Sequence, residues 1–216
     1  MADVYHLPQY ARERLGRIAG VRWDKARRIS GLNSYEGLVQ NSFQVFENLP
    51  SFPNGLVFYE SKFDIDQDGS GPKTPGDTSS PSTSLLDLSG KALNADRFPF
   101  AVLPLRSGNH LPSLQDFNLH LGDLGIAFWQ DRVVPFVYGD LGPRLKIGEG
   151  SVFLAKQLGI PASPISGGIQ DIPPGIIQIA FPMTRDRTDN KTARQPDRIS
   201  QETLALLQKF MHQSTA

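Results

Sequence analysis

Short extended runs, rather than long helices, dominate the middle of this chain. Residues 125–129 and 132–138 are apolar and rich in branched and aromatic side chains, and Gln130 and Asp131 join them. This pattern predicts a β-hairpin. Three more segments have the same character: residues 56–63, 98–103 and 175–181. Because the connections are irregular and strands do not alternate with helices, the pattern favours a small barrel or sandwich over a doubly wound parallel sheet.

Three helices are predicted around these strands. Residues 9–30 carry apolar side chains at loosely helical spacing and predict an amphipathic N-terminal helix. Residues 151–158 are followed by Gly159 and Pro161, which end helices. Residues 200–212 predict a C-terminal helix with one apolar face. The expected fold is therefore mainly β within the α+β class, a compact barrel-like core with flanking N- and C-terminal helices.

The length and composition bound the domain organisation. With 216 residues, 39% hydrophobic and 20% charged, the chain can bury one good core, and nothing requires a second domain. We expect an N-terminal extension packed on the core at residues 1–50, a central domain at 51–183, and a linker with the C-terminal helix at 184–216. A monomer is expected.

The charge balance and the chain start restrict the partners. Lys plus Arg and Asp plus Glu both total 22, so net charge gives no reason to expect a nucleic acid or an anionic membrane. The absence of cysteine excludes disulfides and thiolate metal sites. The first residues show no signal-peptide pattern, and no run approaches the roughly twenty apolar residues of a membrane span. The sequence therefore predicts neither a nucleic-acid nor a membrane partner.

Two carboxylates nine residues apart are the strongest candidates for chemistry. Asp140 lies at the predicted end of a strand, in Tyr-Gly-Asp-Leu-Gly-Pro, and Glu149 lies directly before a predicted helix, in Ile-Gly-Glu-Gly. A strand end and a helix start can face one cleft. Glycosidic bond cleavage needs one carboxyl group to protonate the leaving oxygen and another to activate water or attack the sugar. On spacing alone, a helix cap at Glu149 and a turn at Asp140 explain the same residues.

A second acidic segment, Asp-Ile-Asp-Gln-Asp-Gly at residues 64–69, resembles the start of an EF-hand calcium loop. The twelfth position of that loop needs a glutamate, but it is Pro75 here. The acids could instead attract cationic groups of a ligand, or form a solvated turn. Because the four histidines are also far apart in sequence, the sequence predicts no metal site and no cofactor.

Together these segments resemble the fungal-type chitosanases of glycoside hydrolase family 75. The matching pieces occur in the same order and span about residues 55–182: 61–69, 77–79, 93–104, 121–125, 138–143, 147–149 and 167–169. The shared order, and the interval from the Asp of Gly-Asp-Leu-Gly-Pro to the Glu of Ile-Gly-Glu, carry the resemblance. The chain departs from the family at Gln67, where members commonly carry a cysteine.

The resemblance implies an endo-acting hydrolase that cleaves β-1,4-linked glucosamine polymers with inversion, on a core of double-psi type by fold analogy. Glu149 would be the general acid and Asp140 the general base, with carboxyl groups separated by about 6.5 to 9.5 Å. The substrate-binding residues implied are Asp66, Asp68, Asp77, Thr78, Ser79 and Tyr138. The expected partner is a cationic amino-sugar polysaccharide. The family implies secretion, whereas the lack of a signal peptide leaves a cytoplasmic location open.

Two alternatives remain open at this point. An enzyme that cleaves peptidoglycan or another amino-sugar glycan would use the same two carboxylates on a different polysaccharide chain. A carbohydrate-binding or calcium-stabilised domain without catalysis would keep the fold and lack turnover.

Overall fold

The computed structural model describes residues 5–6, 26–28, 35–40, 42–46, 51–106, 113–185 and 193–213. Within these ranges ten strands form one sheet: β1 Tyr5–His6, β2 Ala26–Arg28, β3 Gln44–Phe46, β4 Leu56–Ser61, β5 Asp64–Asp66, β6 Phe100–Pro104, β7 Leu124–Trp129, β8 Arg132–Gly142, β9 Glu149–Ser151 and β10 Ile176–Phe181. The helices there are α1 Val152–Leu158, α2 Pro196–Gln213 and a 3-10 turn, Leu114–Phe117. The fold is a mixed α+β fold that is mostly β, as predicted.

The strand order in the sheet is β2-β3-β4-β10-β7-β8-β6-β9-β5, and β1 pairs with the start of β8. Most neighbours are antiparallel, but β6 runs parallel to β8, and β5 runs parallel to β9. The two ends of this order, β2 and β5, do not pair with each other in the described part of the chain. Closure into a barrel is therefore not found among these residues.

The hairpin of β7 and β8 confirms the strand prediction for residues 125–138. Leu124 pairs with Val137 and Trp129 pairs with Arg132, so only two residues form the turn. Gln130 adopts a φ of 51°, the left-handed conformation that two-residue hairpin turns use. Strand β8 continues to Gly142, four residues beyond the predicted end. Asp140 therefore lies within a strand and not after it.

The sheet is covered by apolar side chains on both faces, because successive residues of a strand point in opposite directions. Ala127 of β7 packs in one cluster with Leu158 of α1. The preceding residue, Ile126, packs in a second cluster with Leu207 and Phe210 of α2. The two helices thus cover opposite faces of β7.

The ends of the chain match the prediction in part. The C-terminal helix is confirmed, although it begins at Pro196, four residues before the predicted start. The N-terminal helix predicted for residues 9–30 is wrong at Ala26–Arg28, which form β2, and its other residues lie outside the described ranges. Because β3 pairs with β4, the sheet includes residues before position 51. No helix in the described part of the chain is long and apolar enough to span a membrane.

Candidate active site

An acidic cavity of about 370 Å³ lies beside the ends of β5, β8 and β9. Its lining contains seven of the eight residues that the sequence predicts for the site: Asp66, Asp68, Asp77, Thr78, Ser79, Asp140 and Glu149. Five of these carry carboxyl groups. The structure therefore brings together residues from four separate segments of the chain. We call this space the acidic cavity.

Strand β6 explains how Asp140 and Glu149 reach the same cavity. Val102 of β6 pairs with Asp140 of β8, and the neighbouring Ala101 pairs with Gly150 of β9. A bulge between Ala101 and Val102 shifts the register on the β8 side. Because β6 lies between β8 and β9, the two carboxylates project from strands that one central strand holds in fixed register.

The carboxyl group of Asp140 is oriented by hydrogen bonds. Its Oδ1 accepts the backbone N–H of Ser84 at 2.8 Å, the hydroxyl of Ser84 at 2.6 Å and the backbone N–H of Leu141 at 2.8 Å. The residue is only 6% exposed. Ser84 comes from a loop rich in serine and threonine, and no sequence signal distinguished it from its neighbours. These bonds hold the carboxyl group in one orientation at the cavity wall.

A chain of ion pairs holds Glu149. The ammonium of Lys146 lies 2.7 Å from Oε1 of Glu149 and 2.9 Å from Oδ2 of Asp64. Lys62 bridges the same Asp64 oxygen, at 3.0 Å, to Glu36, also at 3.0 Å. Burial alone would lower the pKa of Lys146, but its bonds to Glu149 and Asp64 raise it. Lys146 therefore stays positively charged beside Glu149, a contact that sequence reasoning missed.

Two glycines next to the carboxylates are required by close approaches. Gly148 has a φ of 90°, and a Cβ there would lie 2.3 Å from the carbonyl oxygen of Lys62. At Gly139 a Cβ would lie 2.6 Å from the Cβ of Phe100. Side chains cannot fit at such distances. The glycines of Ile-Gly-Glu and Tyr-Gly-Asp thus permit the packing that places the acids.

Asp66 and Asp68 line the acidic cavity next to Asp140. The backbone N–H of Asp68 donates to Oδ1 of Asp66 at 2.7 Å, and that of Ser80 donates to Oδ1 of Asp68 at 2.6 Å. Burial is the main cause that raises the pKa of Asp66 to about 7, and the charges of Asp68, Asp140 and Glu149 add to it. Burial, with the charge of Asp140, also raises the pKa of Asp68. Asp66 consequently keeps its proton into the neutral range.

We expect Asp66→Asn to remove a pH-dependent loss of stability. The unfolded chain releases this proton near the ordinary pKa of about 3.9, whereas the folded protein releases it near 7. Between these pH values the folded state binds more protons than the unfolded chain, so the stability of the protein falls as pH rises. The stabilisation that protonated Asp66 contributes is lost above about pH 7. The melting temperature of Asp66→Asn relative to wild type should rise from pH 4 to pH 8. Asp77→Asn is the matched control, and parallel curves for Asp66→Asn and wild type would contradict the expectation.

Three of these carboxyl groups are close enough to share a cation. One oxygen each from Asp66, Asp68 and Asp140 lies within 4.8 Å of the others. Carboxylate oxygens at such spacing suit a hard divalent ion such as Ca²⁺. The sequence predicted no metal site, because it could not foresee that Asp140, from a distant strand, joins the acids at residues 64–69. Ionisation of Asp66 would favour an ion here at alkaline pH.

Tyr138 is the predicted site residue that the cavity does not include. Its side chain is fully buried, and its hydroxyl lies 2.9 Å from the hydroxyl of Tyr59. Tyr59 in turn donates to Oε1 of Gln178 at 2.8 Å. Burial raises the pKa of both tyrosines. The prediction that Tyr138 contacts substrate is therefore corrected: the tyrosine belongs to a hydrogen-bonded core.

Comparison with known proteins gave no match, either to a protein-family model or to a curated protein.

Proposed function

We propose that this chain is an endo-acting, inverting glycoside hydrolase that cleaves β-1,4-linked amino-sugar polysaccharides such as chitosan. The observation that carries the proposal is the position of Asp140 and Glu149 on one acidic cavity, on strands aligned by β6. Two carboxyl groups on one cavity are the chemical requirement for hydrolysis of a glycosidic bond. Two further acids of the lining, Asp68 and Asp77, attract the ammonium groups of deacetylated sugars, and Asp66 adds to this attraction once it is ionised.

In the proposed reaction Glu149 donates its proton to the glycosidic oxygen. Asp140 accepts a proton from a water molecule, whose oxygen attacks the anomeric carbon from the opposite face. The bond to the leaving sugar breaks as the bond to the water oxygen forms, so the new anomeric centre is inverted. The ammonium of Lys146 donates to Oε1 of Glu149 at 2.7 Å, so Oε2 carries the proton that is transferred, and the ammonium then pairs with the resulting carboxylate. Ser84 keeps Oδ1 of Asp140 occupied, so Oδ2 acts as the base.

We also propose that the core is a double-psi barrel. The parallel pairs of β6 with β8 and of β5 with β9 support it, because such barrels combine parallel and antiparallel neighbours. Experimental coordinates of the whole chain in which the sheet stays open between β2 and β5 would reject it.

A second candidate function is a domain that a cation stabilises and that binds carbohydrate without cleaving it. The observation in its favour is the approach of Asp66, Asp68 and Asp140 to within 4.8 Å. An ion bound there would engage Asp140, which the hydrolase proposal needs as a free base. The two candidates therefore make different demands on the same carboxyl group.

The test uses purified wild-type protein with chitosans of graded acetylation and with peptidoglycan. We expect new reducing ends in at least one of these glycans and a rapid fall in chain length. NMR should show that the first-formed product has the inverted anomeric configuration. Retention of configuration would reject the base role of Asp140. Melting temperature is measured in parallel with calcium and with chelator. No cleavage of any glycan, together with a rise in melting temperature in calcium, would select the cation-stabilised domain.

A further inference from the structure

A second cavity, of about 410 Å³, adjoins the acidic cavity. The two share Leu105 and Leu141 in their linings. The second space is called the basic cavity here, because Arg106 and Arg185 line it and none of its described lining residues is an Asp or Glu. A polymer that crosses the shared wall would thus meet carboxylates on one side and guanidinium groups on the other.

The charges of the two arginines are only partly balanced. The guanidinium of Arg185 is 3.8 Å from the nearest oxygen of Asp123, which is a long ion pair. Asp123 also accepts the backbone N–H groups of His120 and of Arg185, both at 2.8 Å. Arg106 pairs with Asp116 at 2.8 Å, but its side chain is 72% exposed, and an exposed pair contributes little. Both guanidinium groups therefore retain the capacity to bind an anion.

The rest of the basic cavity suits a substituent that is partly apolar and carries a donor. Leu105 and Leu141 provide apolar wall. Gln115 donates through Nε2 to the carbonyl of Pro104 at 2.9 Å, and its buried Oε1 has no hydrogen-bond partner among the described residues. A buried acceptor without a partner is costly, so a ligand N–H or O–H would stabilise it. Burial and the charge of Arg185 lower the pKa of His120, although the charge of Asp123 raises it, so the cationic form of this imidazole is disfavoured.

We propose that the basic cavity binds a carboxylate substituent on the sugar next to the one held in the acidic cavity. This inference rests on the proposed function and names its substrate class. The glycan would carry a short carboxylate-bearing group, such as a lactyl ether with or without attached amino acids, on alternate amino sugars. The guanidinium groups bind the carboxylate, the leucines contact the methyl group, and Gln115 accepts an amide N–H. Chitosan has no carboxylate and would gain no such contact at this position, although its ammonium groups still suit the acidic cavity.

The experiment compares two ligands that differ by the lactyl group alone. One is an oligosaccharide of alternating N-acetylglucosamine and N-acetylmuramic acid, and the other is a chitin oligosaccharide of the same length. Affinities are measured by calorimetry in an Asp140→Asn background, so that both ligands stay intact. We expect the lactyl-bearing ligand to bind more tightly, and Arg106→Gln and Arg185→Gln each to reduce that preference roughly tenfold. The chitin oligosaccharide should bind equally to all three proteins.

The outcomes separate this inference from the proposed function. Equal affinity for the two ligands, or a preference that both arginine variants leave unchanged, overturns the inference even when the wild type cleaves a glycan with inversion. Absence of cleavage in the wild type rejects the proposed function instead. If Arg185→Gln does not fold, the exposed Arg106 decides the result, because its replacement removes no buried contact. Lys156→Gln, on a surface outside both linings, is the matched charge control.

Discussion

Asp140→Asn is expected to lower kcat by about 10²- to 10⁴-fold on any glycan that the wild type cleaves, because the amide cannot accept a proton from water. The amide oxygen can still accept the bonds from Ser84 and Leu141, so the fold should survive. KM should change far less than kcat, since the lost interaction acts in the transition state. Initial rates from reducing-end release, with circular dichroism as the folding check, measure both quantities.

Two control variants sharpen this expectation. Asp171→Asn removes the charge of an exposed aspartate outside the cavity and should leave kcat unchanged. Ser84→Ala removes one of the three bonds to Oδ1 and should cost less than the loss of Asp140 itself, with rescue in Ser84→Thr. Near-normal kcat in a folded Asp140→Asn protein would remove this residue from the mechanism.

The local elements could be predicted because their causes are local. Strand β7, the start of β8 and helix α1 follow from side-chain patterns within ten residues, and each turn has its own signal. The helix predicted for residues 151–158 is confirmed, and Ser151 caps it by accepting the backbone N–H of Leu154. Glu149, predicted to lie directly before this helix, instead begins strand β9. Neighbouring residues also explain the end of that helix, where Gly159 adopts a φ of 73°.

Pairing between distant segments explains the structural features that the sequence did not predict. Asp64–Asp66 has the composition of a loop, yet it forms β5 because its backbone pairs in parallel with β9. The extension of β8 to Gly142 depends on the partner β6 in the same way. Tyr138 stood in a motif next to Asp140 and was assigned to the site. Regular alternation would put Tyr138 and Asp140 on the same face of β8. The bulge at Gly139 breaks that alternation, so Tyr138 packs against Tyr59 in the core while Asp140 faces the cavity.

The site shows the same division between local and distant causes. The acids at 64–69 and the pair Asp140 and Glu149 were recognised as chemical groups from the sequence. Their partners were not, because Ser84 and Lys146 are ordinary loop residues until the fold brings them to a carboxyl group. A carboxylate can be seen in a sequence, but the groups that orient it and set its charge come from other segments.

Glu149→Gln is expected to lower kcat on polymeric glycan by about 10²- to 10⁴-fold, since glutamine cannot protonate the leaving oxygen. An aryl glycoside of the same sugars with a nitrophenol leaving group needs no such proton. On that substrate Glu149→Gln should keep most of the wild-type rate, whereas Asp140→Asn should lose it on both substrates. This contrast assigns the acid and the base by chemistry alone, independently of the distance between the two carboxyl groups.

Glu36→Gln is the matched control for the glutamate. Glu36 belongs to the same chain of ion pairs through Lys62, but it is 70% exposed and does not line the acidic cavity. Its replacement should leave both rates near wild type, which separates disturbance of the ion pairs from loss of the proton donor. If Glu149→Gln loses activity on the aryl glycoside while Asp140→Asn retains it, the two roles are exchanged. Lys146, whose ammonium lies 2.7 Å from Glu149, would then orient the carboxyl group that accepts the proton from water.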